Sequence, residues 1–320
     1  MNEFKIISNY LQKLTKNNPS AIDLNDDVFF NKKKKLVISV DTYNQKIHFL
    51  DLKKPYLVIK KVLRASISDI VSKGAYPKYF FLSASLKKNS LNKRKLNEII
   101  KSLKEEQKMY NIKLSGGDTT RSNTNSFTVM TVGFSNKIVK RNNCKLNDDI
   151  YVTGNIGDSY VGLCLLKKKL ININNNLKKY FTKKYYLPDV PIKLCKYINK
   201  YANSSIDVSD GLFDDMSKLL NKQKLNYIIY LDKIPVSKNF QSIIQNLGLN
   251  KLNYISKGDD YQTIFTAPKS ARSHIINISK KVNQKITLIG CISNISSNKL
   301  VIGKKSINPI DFKGYSHKFW

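Results

Sequence analysis

The acidic residues of this 320-residue chain are few and unevenly placed. Asp outnumbers Glu 19 to 4, and many of the aspartates fall in short groups beside Gly, Ser or Thr. The groups are Asp26-Asp27, Ser39-Val40-Asp41-Thr42, Ser68-Asp69, Gly116-Gly117-Asp118-Thr119-Thr120-Arg121, Asp207-Val208-Ser209-Asp210-Gly211 and Gly258-Asp259-Asp260. Short carboxylates beside Gly turns are what hard, oxygen-seeking cations such as Mg2+ require. Paired glycines let the backbone approach a ligand closely, and their N–H groups can receive phosphate oxygens. The pattern points to metal ions and, through them, to a bound phosphate.

Each group has a plainer reading when taken alone. Asp26-Asp27 fits a polar turn, Gly-Gly-Asp a hairpin, and Ser209 or Asp210 an ordinary helix N-cap. The helix dipole accounts for Asp214 and Asp215 in a first turn. Asp207 is harder to dismiss, because a carboxylate in or beside a buried strand needs a partner. Asp69 sits near the C-terminal end of its helix, where the dipole disfavours it by about 0.3–1 kcal/mol and a cation would offset that cost. Recurrence of the groups, each at the end of an apolar segment, favours one shared polyphosphate–metal site. His48, Tyr315 and His317 are ambiguous on their own.

The elements that must position these residues follow from periodicity. Phe4, Ile7, Leu11 and Leu14 recur at helical spacing, so an amphipathic helix is expected first. A strand over 36–40 leads into Asp41, and a helix over 58–72 carries Asp69 and stops at Gly74. Further expectations are a strand over 79–86, a helix over 91–110, a strand over 112–115 running into Gly116, and a strand over 127–134. A second unit begins near Asp148, with strands at 150–153, 205–208, 227–231, 261–266 and 286–292. Helices are expected after Gly157 and Gly211 and over 191–202, 240–247 and 269–283, with 168–190 and the tail irregular. Helices and strands mix in both halves, which favours α+β over a strictly alternating parallel sheet. No GxxxxGK[ST] and no GxGxxG occurs.

Composition bounds the rest. Lys+Arg 56 against Asp+Glu 23 gives a net charge of +33. The lysines are spread along the whole chain beside abundant Asn, Ile, Tyr and Phe, as an A/T-rich genome would encode. Scarce Arg and the lack of an aromatic–basic repeat argue against specific nucleic-acid readout. No run of about 18 apolar residues is present, so no membrane span is expected. The N-terminus lacks a signal-peptide layout, and four scattered cysteines without CxxC suit reduced thiols in the cytoplasm.

Taken in order along nearly the whole chain, these groups resemble the thiamine-monophosphate kinases, in the superfamily of aminoimidazole ribonucleotide synthetase. The resemblance rests on the groups above with His48-Phe49, Gly74-Ala75, Pro77, Tyr151-Val152-Thr153-Gly154, Gly157-Asp158-Ser159, Tyr261 and Gly314-Tyr315-Ser316-His317. It implies an α+β, two-domain, aminoimidazole ribonucleotide synthetase-like fold. Residues 1–146 would form an ATP- and Mg-binding domain that pairs with its twin in a dimeric β-barrel, and 147–320 a C-terminal α/β domain. It implies ATP-dependent transfer of the γ-phosphoryl group to thiamine monophosphate, with several Mg2+ ions and no general base, in a cytoplasmic homodimer. By match to the family's motifs, Asp27, Asp41, Asp69, Asp118, Asp207 and Asp210 would hold metal, with Ser39 and Val40 contributing. Tyr110, Gly117, Asp118, Arg141 and Ser209 would contact ATP, and His48, Asp259 and Tyr315 the substrate. The chain departs from the family pattern at Asn25 (usually Gly), Val40 (Thr), Asp259 (Glu) and Gln262 (a carboxylate). The alternatives are a superfamily synthetase that activates an oxygen by phosphorylation, or a basic nucleic-acid-binding protein.

Overall fold

The computed structural model describes residues 2–317 and 319. Two sheets carry the chain. The first has strands β1 (Phe29–Asn31), β2 (Leu36–Asn44), β3 (Tyr76–Lys87), β4 (Lys113–Ser122) and β5 (Ser126–Phe134), in the order β1-β2-β5-β3-β4. All its pairings are antiparallel except β3 with β4. Helix α1 (Glu3–Ile6) precedes the sheet, α2 (Pro55–Ser72) packs on it, and α3 (Lys93–Tyr110) packs on α2.

Alternation along β2 decides which way the site points. Val37, Ser39 and Tyr43 are buried on the face covered by α2, and Asp41 shares that face by register. The opposite face carries Val40, Phe81, Met130, Tyr79 and Phe134, with Val40 60% exposed. Nearly all of β4 is exposed, as the far edge of the sheet.

The second sheet contains β6 (Asp149–Thr153), β7 (Ser204–Asp207), β8 (Asn226–Tyr230), β9 (Thr263–Ala267), β10 (Ile286–Ser293), β11 (Lys299–Ile302) and β12 (Lys305–Ile307), in the order β12-β11-β8-β10-β6-β9-β7. Only β8 and β11 run parallel. Its helices are α4 (Asp158–Leu166), α5 (Asn175–Tyr186), α6 (Cys195–Tyr201), α7 (Leu212–Leu219), α8 (Lys238–Leu247), α9 (Leu252–Ile255) and α10 (Arg272–Val282). The largest apolar core joins β6, β8, β9 and β10 to α4, α7 and α8 through residues such as Val152, Met216, Ile229, Phe240 and Ile289. A second core joins α2 to Tyr185, Tyr186 and Tyr261. That seam sets the end of α2, with Asp69, beside the end of β7, with Asp207.

Three expectations need correction. Residues 168–190 are not wholly irregular: α5 forms there and buries Phe181, Tyr185 and Tyr186. The Gly116-Gly117-Asp118 stretch is not a turn but the middle of β4, paired with β3. Gly117 sits at φ +148, and a Cβ there would meet the Leu82 carbonyl oxygen at 1.9 Å, so the strand crossing itself requires glycine. The N-terminal amphipathic segment is only partly α-helical. Turns of wider and then tighter pitch follow α1 over Ile7–Leu11 and Gln12–Thr15, and none of their residues is buried.

Candidate functional site

A cleft of about 1040 Å³ gathers residues from the N-terminal segment, β2, α2, the β7–α7 turn, the loop before β9 and the C-terminal tail. Asp26, Asp27, Val40, Asp41, Asp69, Asp207, Ser209, Asp210, Arg141, His48, Asp259 and Tyr315 all line it. Residues separated by nearly the whole chain therefore meet in one place.

At its base, one carboxylate oxygen each from Asp27, Asp69 and Asp207 lie within 4.8 Å of one another. Burial raises the Asp41 carboxyl above its usual range. Burial, then the charges of Asp41 and Asp207, hold Asp69 well above it. Burial pushes Asp207 up to about 7, although the Ser68 hydroxyl donates to it at 2.5 Å. Tyr43 donates its hydroxyl to Asp41 at 3.1 Å. Like charges crowded out of water cannot all ionise cheaply.

The cations nearby serve only one side of this group. Lys73, fully buried, lies 2.9 Å from Asp26, 2.6 Å from Asp27 and 2.7 Å from the Ser205 carbonyl. Arg141 pairs with Asp27 through its guanidinium and donates its backbone N–H to Asp26 at 3.0 Å. Among the described residues, no basic side chain makes an ion pair with Asp41, Asp69 or Asp207. An all-oxygen, net-negative donor set of this kind suits Mg2+. The buried Ser39 donates its hydroxyl to the Ser66 carbonyl at 3.3 Å and keeps its oxygen lone pairs as acceptors. Val40 has only backbone to offer.

A stability signature follows from these shifts. A carboxyl whose native pKa is raised binds its proton more tightly in the folded chain than in the unfolded one. Its stabilising contribution is complete below the unfolded value near 3.8 and is lost as pH rises through the native value, about 7 for Asp207. In EDTA the protein should melt at a higher temperature near pH 5 than near pH 8, and Mg2+ should shrink that difference. Thermal denaturation at the two pH values checks this, and the reverse order without metal would contradict it.

The opposite wall is built differently. The Asn44 amide donates to His48 Nδ1 at 2.9 Å, so the imidazole proton resides on Nε2. Burial and the neighbouring His317 lower His48 to about 4, leaving the ring neutral near pH 7. Asp259 lies 2.8 Å from the buried Lys61 ammonium and accepts the Tyr261 hydroxyl at 3.1 Å. The chain reaches Asp259 through Gly258, where a Cβ would stand 1.7 Å from the Ser209 carbonyl oxygen. The Asp259 amide donates to that same oxygen at 2.9 Å, locking the loop to the β7–α7 turn. The tail joins them, with the Tyr315 amide donating to the Asp210 carbonyl at 2.9 Å.

Other expected site residues lie elsewhere. Tyr110 is buried at the end of α3, its ring 5.6 Å from the Arg64 guanidinium. Gly117 and Asp118 stand exposed on β4, three strand spacings across the sheet from β2, about 14 Å. Asp260 turns away from the cleft to accept the Gly157 amide at 2.8 Å. Gln262 is committed to Thr153 and the Asp189 carbonyl, at 2.8 and 2.9 Å. Neither Ser209 nor Asp210 caps α7. Asp215 accepts the Asp210 and Gly211 amides, each at 3.0 Å. Lys61, Lys73 and Lys218 were invisible in a sequence so rich in lysine. Helical spacing signals only Lys218, which follows Asp215 by three residues and pairs with it, whereas Lys73 pairs with the distant Asp26 and Asp27.

Residues 23–135 match the family described as AIR synthase related protein, N-terminal domain. The chain is 34% identical to a thiamine-monophosphate kinase of Buchnera aphidicola subsp. Acyrthosiphon pisum, over 97% of this chain and 99% of that one. It is 33% identical to the enzyme of the same name from Buchnera aphidicola subsp. Schizaphis graminum, over 95% and 97%. A solved structure described as AaThiL complexed with AMPPCP and TMP superimposes with a TM-score of 0.86 at 26% identity, covering 99% of this chain and 97% of that one. The fold is therefore aminoimidazole ribonucleotide synthetase-like with mixed α+β content, and the chain belongs to the thiamine-monophosphate kinase family.

Proposed function

We propose that this chain transfers the γ-phosphoryl group of ATP directly to the phosphate of thiamine monophosphate, giving thiamine diphosphate and ADP. The observation that carries this reading is the convergence of Asp27, Asp69 and Asp207 in a cleft shared with His48 and Asp259, in a member of this family. Asp27, Asp41, Asp69 and Asp207 would hold Mg2+, which when bound neutralises the two polyanions and aligns their phosphates. The chain itself supplies position. A phosphate monoester is largely dianionic at neutral pH, its second pKa being about 6, so the acceptor needs no base to remove a proton. No phosphoenzyme is required. His48 offers Nε2–H as a neutral donor, and Asp259 a carboxylate for the cationic thiazolium, with Tyr315 beside them. Ser209 and Arg141, which line the same cleft, would contact the nucleotide.

The exposed sheet edge gives Gly117 and Asp118 a role across a dimer. β1 pairs with β2 only at residues 36–38, so the outer edge of β2 is unpaired from Ser39 onward, beside the acidic cluster. β4 is the unpaired edge at the other end of the same sheet. We infer that in a two-fold dimer β4 of each chain pairs with the free part of β2 of the other. The two apolar open faces then close into a barrel, and Asp118 of the partner subunit comes to the Val40–Asp41 stretch. The two separate sheets support a division into domains 1–146 and 147–320. ATP use and four free cysteines suit the cytoplasm. No described helix is long and apolar enough to cross a membrane.

The direct test is a coupled assay for ADP with Mg2+ present. Thiamine monophosphate should support turnover, whereas thiamine and formylglycinamidine ribonucleotide should not. ADP release with the ribonucleotide instead would favour the synthetase reading.

A further inference from the structure

Asp210 lines the cleft but lies outside the close group of Asp27, Asp69 and Asp207, and, like Asp27, it already has a cation. Lys218, in the last turn of α7, places Nζ 2.5 Å from Asp210 Oδ2 and 2.6 Å from Asp215 Oδ1. Asp215 is completely buried, and its second oxygen accepts the Asp210 and Gly211 amides at 3.0 Å each. That arrangement fixes Asp215 rigidly and, through it, the ammonium. The Lys218 side chain is only 13% exposed, lines the same cleft as Asp27 and Asp207, and has the Phe4 ring 5.3 Å from its Nζ. Two carboxylates gripping one buried cation is the coordination a divalent ion would otherwise satisfy. An ammonium has three N–H donors, and two are taken here, leaving one for a ligand oxygen.

We propose that Lys218 stands in place of a divalent ion at Asp210, so that Asp210, Lys218 and Asp215 form a built-in cationic subsite that receives a phosphate oxygen of the nucleotide. Divalent ions are then left to the cluster of Asp27, Asp41, Asp69 and Asp207, joined by Asp118 of the partner subunit. This rests on the metal-assisted reading above and departs from the expectation that Asp210 is a metal ligand. An ammonium carries a single charge and cannot exchange into solvent, so this part of the site stays cationic at low Mg2+.

Counting bound Mn2+ by equilibrium dialysis tests the assignment, with the full-length protein and AMPPCP. Lys218→Gln keeps a hydrogen-bonding side chain but removes the charge, and it should bind one more Mn2+ per chain than the wild type. Lys218→Arg should bind the same number as the wild type. Asp210→Asn, which keeps the side chain's shape, should also leave the count unaltered. The proposal is overturned if Lys218→Gln matches the wild type, or if Asp210→Asn loses an ion. A wild type that binds no Mn2+ above the free nucleotide's share would instead overturn the metal-assisted reading and this proposal with it.

Discussion

Asp69→Asn should cost roughly a thousand-fold or more in kcat/KM, the scale of removing an electrostatic group aimed at the transferring phosphoryl, while making the metal-free protein more heat-resistant. The two effects share a cause. Asp69 lies among Asp41, Asp27 and Asp207, without a cation of its own, and burial with its neighbours' charges raises its proton affinity well above normal. An amide of the same shape relieves that repulsion and removes the metal ligand together. Most buried polar substitutions destabilise, so a melting temperature that rises by several degrees in EDTA as activity vanishes is a distinctive outcome. Steady-state kinetics and thermal denaturation on one preparation check both. Loss of activity with an equal loss of stability would point to a structural role for Asp69.

Two inactive variants should rescue each other. If Asp118 serves the partner subunit's cluster, Asp118→Asn and Asp69→Asn are each inactive as homodimers. Unfolded together in equal amounts and refolded, half of the dimers are mixed, and each mixed dimer holds one site with both aspartates intact. About a quarter of wild-type activity should return, by the statistics of two-fold pairing. If Asp118 acted within its own chain, every site in the mixture would lack one carboxylate and no activity would return. The geometry demands this test because about 14 Å of sheet separates β4 from β2 within a chain, too far for one ion to join their side chains.

Much of this site was legible in the sequence. Asp69 and Asp207 stand at the ends of an apolar helix and strand, where local periodicity places them, whereas Asp41 lies inside β2, which runs on to Asn44 instead of stopping at Val40. The end of α2 and the end of β7 meet as that reading requires. What sequence could not supply is what three-dimensional pairing decides. Gly116-Gly117-Asp118 reads as a turn, because nothing local reveals that β3 will lie across Gly117 with no room for a Cβ. Helix α5 was lost in a Lys- and Asn-rich stretch whose three apolar anchors acquire meaning only against α2 and α4. Asp260 looked like the twin of Asp259, but the left-handed backbone at Asp259 (φ 72) separates their roles, one facing the cleft and one holding the α4 N-terminus. Of the cations that partner the acids, Arg141 was marked by the family motifs, whereas Lys73 and Lys218 are hidden among abundant lysines.

The central claim is that Asp27, Asp69 and Asp207 hold the ions that join two polyanions. The measurement that tests it most directly is anomalous diffraction from crystals of this protein grown with Mn2+, AMPPCP and thiamine monophosphate. Manganese peaks should lie on the oxygens of those three aspartates and on phosphates of both ligands. Peaks found only on the nucleotide, with the three carboxylates turned away from them, would contradict the account.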